Sequence, residues 1–132
     1  MQAHKLAVLA TVNPKGLPEA AVIGFSENDK FEIFFGTSAK SRKYKNLSRN
    51  GHIAMVIGWD QGKTVQLEGI ATEVTDEKEI EEYRKVHLAK IPSAAKFMKE
   101  ADEAFFQIKP SFVRFSDLSK DPWDVEEIHF MI

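Results

Sequence analysis

The short connections between apolar runs constrain this chain more than any other feature. Residues 5–12, 19–26 and 31–36 are rich in apolar, β-branched and aromatic side chains, and the polar stretches NPKG and ENDK separate them. Asn, Pro and Gly favour turns, and a connection of about four residues can close an antiparallel hairpin, whereas a parallel crossover needs about a dozen residues or more. The sequence therefore predicts an antiparallel meander of three strands.

A second hairpin is predicted in residues 52–59 and 63–74, which flank the turn signal DQG. Gly69, inside the second of these runs, indicates a β-bulge or the close approach of another backbone. Residues 42–49 favour a short helix, because Asn50 and Gly51 form a C-cap pair directly after them. We therefore expect one helix between the third and fourth strands.

From Asp76 the apolar period changes from that of a strand to that of a helix. Asp76 and Glu79 have the spacing of a capping box. An apolar stripe at helical spacing is formed by Ile80, Tyr83, His87 and Ile91. Pro92 ends this helix, and Ser93 can cap a second short one, SAAKFMKEAD. The sequence thus predicts a pair of helices after the fifth strand.

Strand character returns in AFFQIK and SFVRFSD, on either side of Pro110, and in the final segment EEIHFMI. No repeat, linker or low-complexity segment divides the chain, so residues 1–132 are expected to form one domain. The predicted fold is mainly β, a barrel-like sheet of about six or seven antiparallel strands that carries the helices described above.

Composition argues against several classes of function. The chain has no cysteine, which excludes a disulfide, a thiolate metal site and a Cys nucleophile, and which suits a reducing compartment. The net charge of -2 gives no overall attraction to nucleic acid or to an anionic membrane. The longest apolar stretches are far below the ~20 residues of a membrane span, and the N-terminus does not resemble a signal peptide. We therefore expect a cytoplasmic protein.

The four histidines do not have the spacing of a metal site. They are scattered along the chain and are expected to be surface or partly buried residues: His4, His52, His87 and His129. No motif of a nucleophilic enzyme occurs either. No side chain is therefore predicted to be catalytic or to bind metal, and any reaction would depend on a bound cofactor.

Cations are concentrated where a helix start disfavours them. The segment TSAKSRK leads into the first predicted helix, and Arg42 and Lys43 lie in its first turn. The helix dipole disfavours such cations by a few tenths of a kcal/mol each, unless an anion binds there. Thr37, Ser38 and Ser41 add hydroxyl donors, so that the set suits a phosphate dianion. A helix start that Ser41 caps, with its cations facing water, would explain the same residues.

The order of these elements resembles the FMN-binding split barrel of the pyridoxamine 5'-phosphate oxidase-like family, and in particular its small stress-protein branch. The likeness rests on strand, turn and strand, then FFGT, then SRK opening a helix of the type K-x-x-N-L, then a V-Q-L-E-G-x-A strand. It covers roughly residues 6–74, and KPSFVRFSD resembles the late strand of the stress-protein branch. The resemblance implies a six- to seven-stranded antiparallel split barrel that binds FMN.

The resemblance also implies which residues contact FMN. In the family an Arg-Lys pair holds the phosphate, and it falls here on Arg42 and Lys43, with Ser41 beside them. Just upstream, Gly36 and Thr37 match a dipeptide that contacts the ribityl phosphate. The second strand lies along the isoalloxazine ring, which implies contacts from Ala21, Val22, Ile23 and Gly24. A plain core strand would explain the two larger of these side chains equally well.

The chain departs from the family's pattern in two places. Before Gly69 the oxidases resemble R-Q-V-x-V-x-G, with the Gln contacting flavin, but this chain has Lys63 and Thr64 there. Thr64 is therefore the candidate for that contact. The tail SDLSKDPWDVEEIHFMI does not reproduce the block containing Trp and Arg with which pyridoxamine oxidases bind their substrate. Oxidation of pyridoxamine 5'-phosphate itself is therefore not expected.

The family builds its FMN site across a two-fold interface, so the resemblance implies a homodimer. In such a dimer Trp59 and Trp123 could stack on a flavin of the neighbouring subunit, although packing explains them as well. The partners expected are thus FMN and a second copy of the chain, with no nucleic acid and no membrane.

Three functions remain open. The first is an FMN-dependent oxidoreductase with an unknown small-molecule substrate. In the second, the same domain binds flavin, a deazaflavin or haem without turnover, as a carrier or stress-linked protein. The third is an OB-like fold that binds single-stranded nucleic acid through its aromatic and basic residues, against which the acidic charge balance argues.

Overall fold

The computed structural model describes residues 4–94 and 102–130. These residues form eight strands and two α-helices. In chain order the elements are β1 (Leu6–Val12), β2 (Pro18–Gly24), β3 (Ser26–Glu27), β4 (Ile33–Ser38), α1 (Arg42–Arg49), β5 (His52–Ile57), β6 (Lys63–Val74), α2 (Glu77–Lys90), a 3-10 turn (Pro92–Ala94), β7 (Glu103–Asp117) and β8 (Asp124–His129).

The strands form one curled antiparallel sheet. Its order is β2-β1-β5-β6-β7-β4-β3, with β8 also paired to β7. The hairpins β1–β2 and β5–β6 are those that the short turns predict, and β1 also pairs with β5. The prediction of a mainly β, antiparallel split barrel is confirmed.

Strand β7 holds the two halves of the sheet together. One of its edges pairs with β6 along almost its whole length. The other edge pairs with β4 through residues 103–108 and with β8 through residues 112–117. The predicted segments AFFQIK and SFVRFSD are therefore one continuous strand. Its pairing with β6 continues past Pro110, with a shift of register there.

That register shift lies between Glu68 and Gly69, opposite Pro110. A Cβ atom at Gly69 would collide with the carbonyl oxygen of Lys109, so the backbones approach here as only glycine allows. Proline has no N–H to donate to a ladder, which is why it is tolerated at a bulge. The bulge expected at Gly69 is confirmed.

The inner face of the curled sheet is filled by large apolar side chains. Phe35 of β4 and Phe106 of β7 stack with ring centroids 5.4 Å apart, and Tyr44 of α1 meets Phe106 edge-on at 5.9 Å. Burying side chains of this size stabilises the fold by roughly 1.5–3 kcal/mol each. The largest fully buried apolar residues are Phe25, Phe35, Phe106, Leu9, Ile33, Met55, Ile57, Leu67 and Ile108.

Helix α2 packs outside this core on a smaller cluster. Ile80 and Tyr83 contact Val74 and Phe105, and the ring of Tyr83 stacks on that of Phe34 at 4.0 Å. The helix begins at the predicted cap, because Asp76 Oδ1 accepts hydrogen bonds from the N–H groups of Lys78 and Glu79 at 2.8 and 3.2 Å. The apolar stripe expected on this helix thus faces the sheet.

Several boundaries differ from those predicted. The second predicted strand divides into β2 and β3 at Phe25, whose N–H donates to the carbonyl of Lys5 instead. Strand β4 starts at Ile33 because Phe31 has a positive φ of 62° within the preceding turn. Of the predicted second helix after Pro92 the structure describes a 3-10 turn, and residues 95–101 lie outside the described residues.

Candidate functional site

Two adjoining cavities lie where β2, β4, the start of α1 and the end of α2 meet. The larger has a volume of about 430 Å³ and is lined by Leu6, Val22, Ile23, Gly24, Gly36, Thr37, Ser38, Lys43, His87, Ile91, Ser93, Glu103 and Phe105. The smaller, of about 230 Å³, is lined by Thr11, Glu19, Ala20, Ala21, Ser41, Arg42 and Lys43. We call them the ring cavity and the cation cavity. Lys43 lines both, so the two cavities adjoin at this side chain.

The loop before α1 is held by hydroxyl contacts. Ser41 is the N-cap: its backbone is extended, and its Oγ accepts a hydrogen bond from the N–H of Tyr44 at 3.1 Å. The same Oγ lies 3.0 Å from Thr37 Oγ1 at the end of β4. Ser38 Oγ donates to Asp102 Oδ2 at 2.9 Å. The hydroxyl of Ser38 is therefore engaged, while Thr37 and Ser41 sit together beside the helix start.

The first turn of α1 carries cations and no acidic residue. Arg42 is 82% exposed in its side chain and can turn toward an anion at little cost. Lys43 is half-buried between the two cavities. The unpaired N–H groups of the first turn and the positive helix end add to the attraction of both cations for an anion. The start of α1 has the chemistry of a phosphate site.

One carboxylate shares the cation cavity. Glu19 Oε1 lies 3.7 Å from Arg42 Nε and accepts a hydrogen bond from Asn46 Nδ2 at 3.0 Å. The bond from Asn46, then that from Asn13, and then the charge of Arg42 hold the pKa of the Glu19 carboxyl below its usual value. Asn46 is buried and also donates to Thr11 Oγ1 at 3.0 Å, so the carboxylate is held firmly in place.

Small residues shape the ring cavity. A Cβ at Gly24 would lie 3.3 Å from Ile91 Cδ1, and a Cβ at Gly36 would collide with Glu103 Oε1. The absence of side chains here allows the end of α2 and the side chain of Glu103 to approach the strands closely. Gly24 therefore makes room for Ile91, in addition to any room that it leaves for a planar ligand beside the strand.

The predicted cofactor residues fall on these cavities with one exception. The ring cavity receives Val22, Ile23, Gly24, Gly36, Thr37 and Lys43. The cation cavity receives Ala21, Ser41, Arg42 and Lys43. Thr64 lines neither cavity and pairs with Ser116 of β7. Its neighbour Val65 pairs with Ile57, which pairs with Ala7, so Thr64 lies within two to three strand spacings, about 10–15 Å, of Leu6 at the edge of the ring cavity.

His87 is a member of the ring cavity that the sequence did not predict. It was expected to be a surface or partly buried residue, but it is 7% exposed, and its Nδ1 lies 3.1 Å from the Oγ of buried Ser26. Burial, and then the nearby charge of Lys90, lower the pKa of the imidazole below its usual value. His87 belongs to the helical stripe recognised in the sequence, but nothing local revealed that the stripe faces a cavity.

The last turn of α2 is anchored to the segment that follows β2. Lys90 pairs with Glu27 through Nζ and Oε2, and the same Nζ lies 3.9 Å from the centre of the Phe25 ring. Ser26 adds its hydrogen bond to His87, so the successive residues Phe25, Ser26 and Glu27 all hold this turn in place. The wall that α2 contributes to the ring cavity is thus fixed by an ion pair, a cation–π contact and a hydrogen bond.

The site has the features of an organic ligand site. Within residues 4–94 and 102–130, no group of three or more His, Cys, Asp or Glu side chains could hold a metal ion. The helices of that same part of the chain are too short or too polar to cross a membrane. An apolar cavity with a few polar groups, joined to a cationic one, suits a planar ligand that carries a phosphate.

One family model matches most of this chain. Residues 1–117 match the model of the family described as pyridoxamine 5'-phosphate oxidase. Among curated proteins, none matches this chain.

Solved structures share the fold at low sequence identity. A haem-binding protein from Mycobacterium smegmatis has a TM-score of 0.81 at 16% identity, over 96% of this chain and 53% of that one. General stress protein 26 from Bacillus anthracis str. Sterne has a TM-score of 0.75 at 18% identity, over 98% of this chain and 92% of that one.

A pyridoxamine 5'-phosphate oxidase-related, FMN-binding protein from Nostoc punctiforme PCC 73102 has a TM-score of 0.73 at 15% identity, over 97% of this chain and 88% of that one. This chain spans about half of the Mycobacterium smegmatis protein and most of the other two. Likeness at these identities shows the shared fold.

Proposed function

Since this chain belongs to the pyridoxamine 5'-phosphate oxidase family, we propose that it is a single-domain FMN-binding flavoprotein that acts as an oxidoreductase on a small molecule. The observation that carries the proposal is the junction of the two cavities at Lys43, where a cationic helix start meets an apolar cleft. FMN has the matching form, a planar ring system joined through a ribityl chain to a phosphate. The FMN-binding relative from Nostoc punctiforme lends further support.

The residues of the two cavities fit FMN in three respects. Arg42 and Lys43 provide a guanidinium fork and an ammonium for the phosphate, and Ser41 provides a hydroxyl beside the free N–H groups of α1. Thr37, bonded to Ser41, extends the polar surface toward the ring cavity. The exposed Val22 and the neighbouring Ile23 and Gly24 offer the apolar side of the ring cavity to a ring.

Bound flavin would supply the hydride and electron transfer that no side chain of the site can provide. The chain's own residues bind and orient it. The first turn of α1 holds the phosphate, while β2 and the end of α2 exclude water from one side of the ring. The substrate's approach is then from the side that these elements leave open.

The functional unit in this proposal is a homodimer. Thr64 lines neither cavity of its own chain, and a second copy of the chain can supply that contact. Leu6 and Val22, at the edge of the ring cavity, are 53% and 60% exposed, as suits residues that a partner covers. A cysteine-free chain is suited to the reducing cytoplasm, where we place the protein.

The decisive experiment is a visible absorption spectrum of the purified protein, followed by titration with FMN and with riboflavin. Flavin absorbance, with FMN bound much more tightly than riboflavin, is expected, because the start of α1 binds the phosphate. A haem Soret band without flavin binding would replace FMN with haem, the ligand named for the Mycobacterium smegmatis relative. Binding of neither flavin would overturn the proposal.

A second experiment separates an enzyme from a carrier. The FMN-loaded protein is mixed with NADH or NADPH without oxygen, and flavin bleaching is followed by stopped flow. Reduction at rates of about 1 per second or more would fit an enzyme. Reduction no faster than that of free FMN would instead identify a flavin carrier. Size-exclusion chromatography with light scattering on the same sample tests the dimer.

A further inference from the structure

The wall of the ring cavity formed by α2 carries a polar group that the proposed function has not yet used. His87 lies on the buried stripe of α2, where an apolar residue would pack without the cost of desolvating an imidazole. Its Nδ1 is bonded to Ser26 Oγ, and the side chain lines the cavity. This leaves Nε2 as the ring nitrogen that a molecule in the cavity can meet.

The bond to Ser26 fixes the orientation of the imidazole but leaves its donor and acceptor roles open. Ser26 is fully buried on β3, so its hydroxyl is held in place. A hydroxyl can either donate or accept, and a neutral imidazole has one donor and one acceptor nitrogen. The pair can therefore present either a lone pair or an N–H at Nε2 without gaining a charge.

We propose that His87 is a ligand-contacting residue of this site, whose Nε2 makes a polar contact with the edge of the planar ring in the ring cavity, and that Ser26 is its positioning residue. This inference rests on the proposed function, because it takes flavin as the ligand. The edge of an isoalloxazine ring carries carbonyl acceptors, ring nitrogens and an N–H donor. A histidine that can adopt either role can bind such an edge, whereas Leu or Phe on the same stripe could not.

Burial and one nearby cation favour the neutral form of His87. On its own helix, Lys90 lies one turn away and pairs with Glu27 of β3. From other elements, Lys43 of α1 and Glu103 of β7 line the same cavity. Burial and Lys90 together keep the pKa of His87 below its usual value, so the residue is neutral at pH 7.

Ligand binding should therefore oppose protonation of His87. A ring that fills the cavity removes the water that would solvate an imidazolium, so the bound state takes up a proton less readily than the free state. By linkage, affinity for the ring is full at neutral pH and falls as the pH drops through the pKa of His87 in the free protein. The phosphate of FMN also titrates near pH 6, so riboflavin is the cleaner probe of this effect.

The test is to titrate the full chain with riboflavin and with FMN, by quenching of flavin fluorescence, between about pH 5 and about pH 8. His87→Gln keeps a polar side chain of similar size that does not titrate, and His87→Leu removes the polar group. Ser26→Ala removes the positioning hydroxyl. The matched control is His52→Gln, which replaces an exposed histidine on β5 outside both cavities.

Wild type and His52→Gln should lose riboflavin affinity on acidification from pH 7.5, while His87→Gln should show a flat profile over the same range. His87→Leu should bind about 5- to 10-fold more weakly at pH 7.5, the size expected for one lost hydrogen bond. Ser26→Ala should bind flavin at pH 7.5 with a displaced pH midpoint. Thermal unfolding shows which variants are folded. If His87→Leu does not fold, the pH profile of His87→Gln decides the test.

Two failures can be told apart. If FMN binds better than riboflavin, but His87→Gln keeps the wild-type pH profile, the role of His87 is overturned and the proposed function stands. If the wild type binds neither flavin at any pH, the proposed function and this inference fail together.

Discussion

The two α-helices of the described residues, α1 and α2, begin in opposite ways. Both have a side-chain cap, Ser41 for α1 and Asp76 for α2. The first turn of α2 carries Glu77 and Glu79, which favour the positive end of the helix dipole. The first turn of α1 carries cations instead, with no acidic residue. The side chains at the start of α2 thus favour its dipole by themselves, and the start of α1 is where we propose that an anion binds.

The C-terminal ends of the same helices also differ in their surroundings. α1 ends in solvent at Arg49 and Asn50, directly before β5. The last turn of α2 is anchored by Lys90 on Glu27 and brings His87 and Ile91 to the ring cavity. One helix contributes its start to the site and the other its end, and the start that lies at the site is the one that carries cations.

The largest expected effect comes from removing the cations at the start of α1. Arg42→Ala combined with Lys43→Ala should weaken FMN binding about 100-fold or more, because charge-assisted bonds to the phosphate are lost. Riboflavin affinity and the midpoint of thermal unfolding should stay close to those of the wild type. Isothermal titration and calorimetry measure the two quantities.

The control for that variant is Lys78→Ala combined with Lys85→Ala, which removes two positive charges from α2, outside both cavities. It changes the net charge equally and should leave FMN affinity within about twofold of wild type. Equal losses in the two double variants would mean that overall charge, rather than the start of α1, attracts the phosphate.

Replacing the two caps should separate stability from binding. Asp76→Ala and Ser41→Ala should each lower the free energy of unfolding by about 1 kcal/mol, because the first N–H groups of a helix lose their acceptor. FMN affinity should fall in Ser41→Ala alone, since Asp76 lies outside both cavities. Urea denaturation and FMN titration measure these effects. A loss of affinity in Asp76→Ala as large as in Ser41→Ala would contradict the division between the helices.

A smaller effect of opposite sign is expected at Glu19. Its carboxylate lies beside Arg42 and repels a phosphate in the cation cavity. Glu19→Gln keeps the side-chain size and should strengthen FMN binding by about threefold in low salt, with the gain reduced at high salt. Riboflavin affinity should not change. Weaker FMN binding would show that the carboxylate orients Arg42 for the ligand rather than competing with it.

The smallest effect concerns the dependence of stability on pH at the end of α2. The pKa of His87 is lowered by folding, so the unfolded chain binds this proton more readily. The free energy of unfolding should be independent of this group above its usual pKa near 6.5, and should decrease as the pH falls from there through the folded-state pKa.

His87→Gln should remove that part of the slope, and His52→Gln should keep it. One proton gives at most about 1.4 kcal/mol per pH unit, and a partial difference in protonation gives a fraction of that. Urea denaturation at several pH values measures it. An unchanged slope in His87→Gln would assign the pH dependence to other groups.

Much of the fold could be predicted, because turns and helix caps are local. The hairpins around NPKG and DQG, the bulge at Gly69 and the start of α2 at Asp76 all followed from neighbouring residues. The merging of AFFQIK and SFVRFSD into one strand could not be predicted, because a proline between two apolar runs locally indicates the end of a strand. The missing N–H of Pro110 costs little here, since the register shifts opposite it at Gly69.

The candidate site divides in the same way. The cations and hydroxyls at the start of α1 are neighbours in the chain, so their common chemistry was visible in TSAKSRK. Glu19, His87 and Glu103 come from distant segments and have no motif of their own. The expectation that all four histidines are surface or partly buried residues was wrong for His87, because its burial depends on where α2 packs.

The sequence alone was enough to determine an antiparallel sheet with a cationic helix start. The apolar periodicity, the turn residues and the helix caps that indicate it each depend on residues within a few positions of one another. Which strands close on one another, which turn of α2 lies over Gly24, and which carboxylate faces Arg42 were decided by tertiary packing. Those contacts join residues tens of positions apart, and their free energy comes from apolar burial over the whole molecule, which no short window of sequence contains.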